Sequence, residues 1–165
     1  MKKITIALIL ILTILFIMIF FTTRHRDQRL IKKGLGSLAI TVSKSTNEGE
    51  LAFIAKTRKI KSLFTQACRI VVGDPIPDIQ GLEMLATAFC QALRSVDELN
   101  VGFYDISITI GEEGTTAKTM MTAKATGPDP YEGGPVTDVR EIEMNWKKID
   151  GTWKIAEVRA VQTLH

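Results

Sequence analysis

REIEMNWKKIDGTWKIAEVRAVQTL, residues 140–164, is two alternating runs joined at Asp150-Gly151, and its register decides the fold. Both turn residues tolerate positive φ, so the pair predicts an antiparallel hairpin. A two-residue loop would set Met144 against Glu157 and Ile142 against Arg159, apolar groups against charges. A three-residue loop of Ile149, Asp150 and Gly151, with the glycine in a left-handed bulge, sets Ile142 opposite Val158, Met144 opposite Ala156 and Arg140 opposite Ala160. One face is then largely apolar. The other carries Glu141 opposite Arg159, an opposite-charge pair, and Lys147 opposite Trp153, a cation–π pair, against one unfavourable pairing of Glu143 with Glu157. The bulged register is the expected one. It places Trp146 in the core beneath the third helix with Ile142, Met144 and Val158, and Trp153 with Ile155 on the outer face.

Working back from this ribbon, Thr116 to Thr126 alternates with Ala117, Thr119, Met121, Ala123 and Ala125 on one side. Val101 to Ile110 alternates too, with Tyr104, Ile106, Ile108 and Ile110 on one face and Phe103, Asp105, Ser107 and Thr109 on the other. Gly111 to Gly114 and Gly127 to Pro135 are the connecting turns. Upstream, Leu82, Leu85, Phe89, Leu93 and Val96 recur at helical spacing after Pro77 and Asp78, with Asp78 as the expected cap. Ala67 to Val72 reads as a short strand stopped by Gly73-Asp74-Pro75. Two helices precede it, one with Ile31, Leu35, Leu38 and Val42 on its stripe and one over residues 50–63. Helices segregated before four antiparallel strands predict an α+β layer packing.

The chain has 165 residues, 45% hydrophobic, with a formal net charge of +3. From Ile4 to Phe21 no residue is charged, a run that would make a helix of roughly 27 Å, near the short limit for a bilayer core of about 30 Å. Residues 1–23 are therefore expected to be an uncleaved transmembrane signal anchor, and residues 24–165 the folded domain. A cleaved signal peptide competes, since Lys2 and Lys3 form a basic start. However, the run exceeds a usual h-region, and Phe20 to Arg24 offer no small-residue cleavage site. Lys and Arg counts favour a cytoplasmic domain. The very short basic tail resembles a bacterial signal anchor instead, and this predicts a single-pass inner-membrane protein with an extracytoplasmic, periplasmic domain.

Cys68 and Cys90 fit either compartment: an exported domain could pair them, but both sit among apolar neighbours, where a free cysteine packs as a small hydrophobe, and the free-thiol reading is the preferred of the two. His25 and His165 lie at opposite ends, so the spacing gives no metal site and no cofactor is expected. Lys56, Arg58, Lys59 and Lys61 form a basic cluster on the second helix. No nucleic-acid motif accompanies it and aromatic residues do not interleave with it, so it reads as a solvated face.

The element order, the helix opening Ile79-Gln80-Gly81-Leu82-Glu83 and the closing pattern Asn145-Trp146-x-x-Ile149-Asp150-Gly151-x-Trp153-Lys154-Ile155 resemble the nuclear transport factor 2-like superfamily, also called SnoaL-like or cystatin-like. That resemblance implies a cone-shaped, curved antiparallel sheet packed on about three helices. Its mouth holds ligands in some members, and its outer sheet face makes dimers in many. The superfamily spans ketosteroid isomerases, polyketide cyclases, dehydratases and proteins without catalysis, so the fold leaves function open. No catalytic set transfers onto this sequence: Tyr131 stands in a proline-rich loop, and neither histidine can be placed in the cone. Tyr104, Arg140, Met144 and Trp146 are the expected pocket residues. Asp105, Trp153 and Ile155 are the expected outer-face or interface residues.

Bacterial type IV secretion inner-membrane scaffolds resemble the whole arrangement of tail, membrane helix and domain. The function expected is a membrane-anchored, non-catalytic binding or assembly module, taking a protein partner, a second copy through the sheet, or a small apolar ligand. A SnoaL-like isomerase or dehydratase is the alternative. Anionic-lipid or nucleic-acid binding through the basic helices is the second alternative, with nucleic acid disfavoured.

Overall fold

Ile31, Leu35 and Leu38 form an unbroken buried stripe, and the sheet wraps around the helix that carries them. A computed structural model describes residues 22–73, 77–129 and 134–161 of the chain. The elements are α1 (Lys2–Val42), α2 (Glu50–Leu63), β1 (Phe64–Val71), β2 (Ile79–Gln80), α3 (Leu82–Ser95), β3 (Asn100–Ile110), β4 (Thr116–Pro128), β5 (Pro135–Ile149) and β6 (Thr152–Ala160). The apolar run of the expected anchor, residues 4–21, lies outside the described residues, as do Asp74, Pro75, Tyr131 and His165. Among the described residues no helix is long and apolar enough to cross a membrane.

All six strands form one sheet in the order β2-β1-β6-β5-β4-β3. It is mixed, because β1 lies parallel to β6 while the other pairs are antiparallel. The expectation of a wholly antiparallel sheet is corrected here. Alternation reports which way side chains face, and it carries nothing about which strand lies alongside. At the far side the sheet curls until its last strand meets α1. Ser43 Oγ accepts from the Val101 backbone N–H at 2.9 Å, and the Gln28 side-chain amide donates to the Ile108 carbonyl at 3.4 Å. These two contacts fix the direction: β3 runs antiparallel to α1, and its end lies toward the N-terminal part of the helix.

Asp78 does not cap α3. The segment before the helix is extended as β2, and the N-cap is Gly81 at φ 87°, a conformation that suits glycine. Asp78 instead pairs with Arg69 at 2.8 Å. The apolar face of α3, with Leu82, Leu85, Ala86 and Leu93 buried, lies against β1, β2 and α2. It does not cover Trp146, as the sequence reading expected. Cys68 is buried and Cys90 partly so, and both are free thiols. Burial pushes the Cys68 thiol up.

The final hairpin keeps the two-residue turn that the apolar pattern argued against. Asp150 and Gly151 both have positive φ, 49° and 75°, the signature of a primed turn that matches strand twist. Ile149 pairs with Thr152, Lys148 with Trp153 and Trp146 with Ile155. Then Ala156 is passed over: Asn145 pairs with Glu157, Met144 with Val158 and Ile142 with Ala160. This bulge in β6 resolves the conflict in the sequence. It replaces the apolar-against-charge pairings by Met144–Val158, and the acid-against-acid pairing by Glu143–Arg159. Up to the bulge Trp146, Lys148, Trp153 and Ile155 share one face. Trp153 (7% exposed) and Ile155 (0%) are therefore core residues, not outer-face ones.

A second bulge sits in β3, between Tyr104 and Ser107. Asp105 occupies it at φ 52°. Phe103 is thereby brought onto the core side with Ile106 and Ile108, and Tyr104 turns outward at 55% exposure. Aspartate tolerates the left-handed region better than a β-branched residue does. Asp105→Val is expected to lose about 1–2 kcal/mol and Asp105→Gly to lose nothing measurable, read by urea unfolding. Equal stabilities for the two variants would remove the bulge as the reason for the reversed faces.

Candidate functional site

Among the described residues the interior of the curved sheet is packed with buried side chains. Trp146, 1% exposed, reaches α1 where glycine leaves room: a Cβ at Gly34 would stand 3.4 Å from its six-membered ring. Its indole N–H donates to Thr119 Oγ1 at 3.2 Å, and the Thr119 hydroxyl donates to the Met144 carbonyl at 3.4 Å. Met121, Met144, Ile31 and Leu35 close the space around it.

The buried charge lies nearer the N-terminal part of α1. Asp27 is 6% exposed. Lys148 Nζ donates to its two carboxylate oxygens at 2.8 and 3.0 Å, and the Trp153 indole N–H donates to Oδ1 at 3.0 Å. The Lys148 ammonium also lies 5.4 Å from the Trp153 ring centroid, a cation–π contact expected of Lys147 and made by its neighbour. A carboxylate can be kept ionised away from water only by partners of this kind. The arrangement ties α1 to the β5–β6 tip and supplies a desolvated carboxylate. Sequence reasoning missed it although a signal was present, since Asp27 precedes Ile31 by four and so continues the stripe of Ile31, Leu35 and Leu38.

The expected pocket residues do not converge. Met144 and Trp146 are core. Tyr104 is on the outer face, its hydroxyl within 2.8 Å of where a Cβ on Gly102 would be. Arg140 is exposed and donates to Asp138 at 2.9 Å. Of the expected interface set, Asp105 is exposed and accepts from Thr122 at 3.4 Å, while Trp153 and Ile155 belong to the core. On the same outer surface the Glu157 carboxyl is held below the usual range by hydrogen bonds from Arg159 and Asn145.

Two open clefts mark opposite ends of the cone. One, of about 420 Å³, lies where α3 ends and β4 meets β5, with Asp97, Glu98, Asp129 and Asp138 beside Leu99 and Val136. The other, of about 280 Å³, lies between α1, α2 and the β5–β6 turn, with Lys33 and Lys59 beside Leu30, Leu63 and Trp153. The basic cluster of α2 is divided: Lys56 pairs with Glu48 and Lys61 with Glu83. Among the described residues no group of His, Cys, Asp or Glu is placed to hold a metal ion.

No protein-family model and no curated protein matches the chain. Solved structures do resemble it. One is a Novosphingobium aromaticivorans protein provisionally assigned as a scytalone dehydratase, at 13% identity and TM-score 0.71 over 87% of this chain and 89% of that one. A nuclear transport factor 2-like superfamily protein from Salmonella enterica aligns at 14% identity and TM-score 0.68, over 86% and 94% of the two chains. A hexachlorocyclohexane dehydrochlorinase, LinA type 2, aligns at 11% identity and TM-score 0.68, over 87% and 89%. At these identities the likeness is one of fold: a nuclear transport factor 2-like α+β domain with a curved mixed sheet on three helices.

Proposed function

We propose that the chain is a non-catalytic binding or assembly module, tethered by residues 1–23 to a bacterial inner membrane with its domain on the periplasmic side. The observation that carries this reading is the filled cone: Trp146 occupies the space a substrate would need, and Thr119 satisfies its only polar atom. The apolar groups available to a partner are outside, where Tyr104 and Val139 are 55% and 56% exposed. They lie close together, since Gly102, over which Tyr104 folds, and Val139 both pair with Lys124. A photo-crosslinking residue at position 104, in membranes, is expected to give one discrete protein adduct, either a second copy or another protein. Absence of any adduct at that position would remove the proposed contact surface.

Asp27 favours a second reading. A buried carboxylate in this fold, with similar structures assigned as a dehydratase and a dehydrochlorinase, suits a small-molecule dehydratase or isomerase in which Asp27 moves the proton. Turnover of a small β-hydroxy carbonyl compound that Asp27→Asn abolishes would establish it in place of the first.

A further inference from the structure

The cations on α1 do not surround the helix evenly. At 100° per residue, Asp27, Ile31, Leu35 and Leu38 mark the face turned to the sheet, and Arg26, Arg29 and Lys33 fall together on the opposite face. All three are exposed. Across the cleft between the helices, Lys59 of α2 lines the same depression as Lys33, with Leu30, 41% exposed, between them. No ion pair to an acid is seen for Arg26, Arg29, Lys33 or Lys59 among the described residues; scattered surface cations such as Lys124 and Lys154 share that state, and what sets these four apart is their grouping around one cleft. The acid-rich cleft at Asp97, Glu98 and Asp138 is at the other end of the cone.

The end that carries these cations is the one where the described part of α1 begins. Along β5, Trp146 meets α1 at Gly34 and Lys148 meets it at Asp27, so the β5–β6 tip points toward the start of the helix. Measured from Thr22, the helix rise puts Arg26, Arg29 and Lys33 about 6, 10 and 16 Å along the axis. The headgroup layer is about 5–8 Å thick on each side of the hydrocarbon. An upright helix would bring only Arg26 into it, but membrane helices tilt by about 20° on average. Tilting by that amount toward the Arg26–Arg29–Lys33 face lowers its groups by about 2–3 Å, and the long side chains of Lys33 and Lys59 span the rest of the distance to the phosphates.

We propose that this face of α1 and α2 is a docking surface for the anionic leaflet of the membrane that holds the chain, with Arg26, Arg29, Lys33 and Lys59 against lipid phosphates and Leu30 at the interface. The surface makes the domain lean on the bilayer and leaves Tyr104 and Val139 uncovered for a partner. This inference rests on the tethered reading above.

The test uses the full chain in nanodiscs of phosphatidylcholine alone or with roughly a third phosphatidylglycerol. A neutral amine-acylating reagent is applied, and each lysine's labelling rate is read by mass spectrometry against Lys124 on the outer sheet face. Lys33 and Lys59 are expected to be labelled at least three-fold more slowly in the anionic discs. The protection should vanish in 0.5 M salt, where charge attraction is screened, and in the Arg26→Gln/Arg29→Gln variant. Equal rates in the two lipids, with the chain recovered in the discs after an alkaline wash, would overturn the docking surface and leave the tether intact. A chain washed out of both discs would overturn the tether and the surface with it. Protection by inorganic phosphate in phosphatidylcholine discs, matching that by anionic lipid, would identify a free-anion site and overturn the leaflet as occupant.

Discussion

Trp146→Ala is expected to lose about 3–5 kcal/mol, the range for truncating a buried large aromatic, from a domain whose total stability is of the order of 5–15 kcal/mol. The side chain is 1% exposed and bears on α1 at Gly34, so its removal opens a cavity between the helix and the sheet. Collapse into that cavity is opposed by the β4–β5 pairing on both sides of Ala117–Trp146. The hydroxyl of Thr119, itself 0% exposed, also loses its donor. Trp146→Phe is the milder truncation. It keeps most of the volume but removes the N–H together with part of the fused ring, for an expected loss of about 1–3 kcal/mol. Both values are read from urea unfolding followed by far-UV circular dichroism, because the variants remove one of the two tryptophan fluorophores. A loss under 1 kcal/mol for Trp146→Ala would mean that the ring fills space the fold does not need. An apolar ligand bound in the vacated volume would then become the better account of the cone.

The core was legible in the sequence wherever one periodicity ran uninterrupted. Ile31, Leu35 and Leu38 on α1, Leu82, Leu85 and Leu93 on α3, and Ala117, Thr119 and Met121 on β4 are all buried. The reading broke at two inserted residues. Strict alternation carried through Asp105 put Tyr104 inside and Phe103 outside, and the bulge reverses both. At the hairpin the conflict between a good turn and a poor ladder was visible, but its resolution was sought in a longer loop. The chain instead kept the turn and slipped one residue at Ala156. A slip moves every later side chain to the other face: the expected slip lay in the turn and the actual one lies at Ala156, so Trp153 and Ile155, between the two, were assigned to the wrong face while Met144 and Trp146 were not. The site suffered most from a different cause. Asp27 stands in a basic stretch and was passed over as one charge among several. Its burial follows from a partner 121 residues away, and no local pattern reports that distance.

That long-range pair gives the other large effect. Lys148→Met is expected to lose about 3 kcal/mol, the low end for breaking a buried ion pair, because the Lys148 side chain is itself 29% exposed and part of its charge is already solvated. Asp27→Leu should lose a similar amount, since the Trp153 indole N–H is left without an acceptor. The double variant should lose less than the sum, by about 0.5–3 kcal/mol, the coupling of residues in one network. Asp27→Asn bears on function as well as stability. A carboxylate held by an ammonium and an indole N–H for structural reasons is at its best as it stands. The amide would keep the indole bond through its oxygen and turn an NH₂ toward Lys148, so stability should fall by about 1–2 kcal/mol. A carboxylate retained as a proton carrier is commonly a liability to the fold, and its neutral isostere commonly stabilises. The sign of the change in urea midpoint for Asp27→Asn therefore separates the tie between helix and hairpin from the catalytic base: a lower midpoint supports the filled, non-catalytic cone, and a higher one would move Asp27 to the centre of an active site.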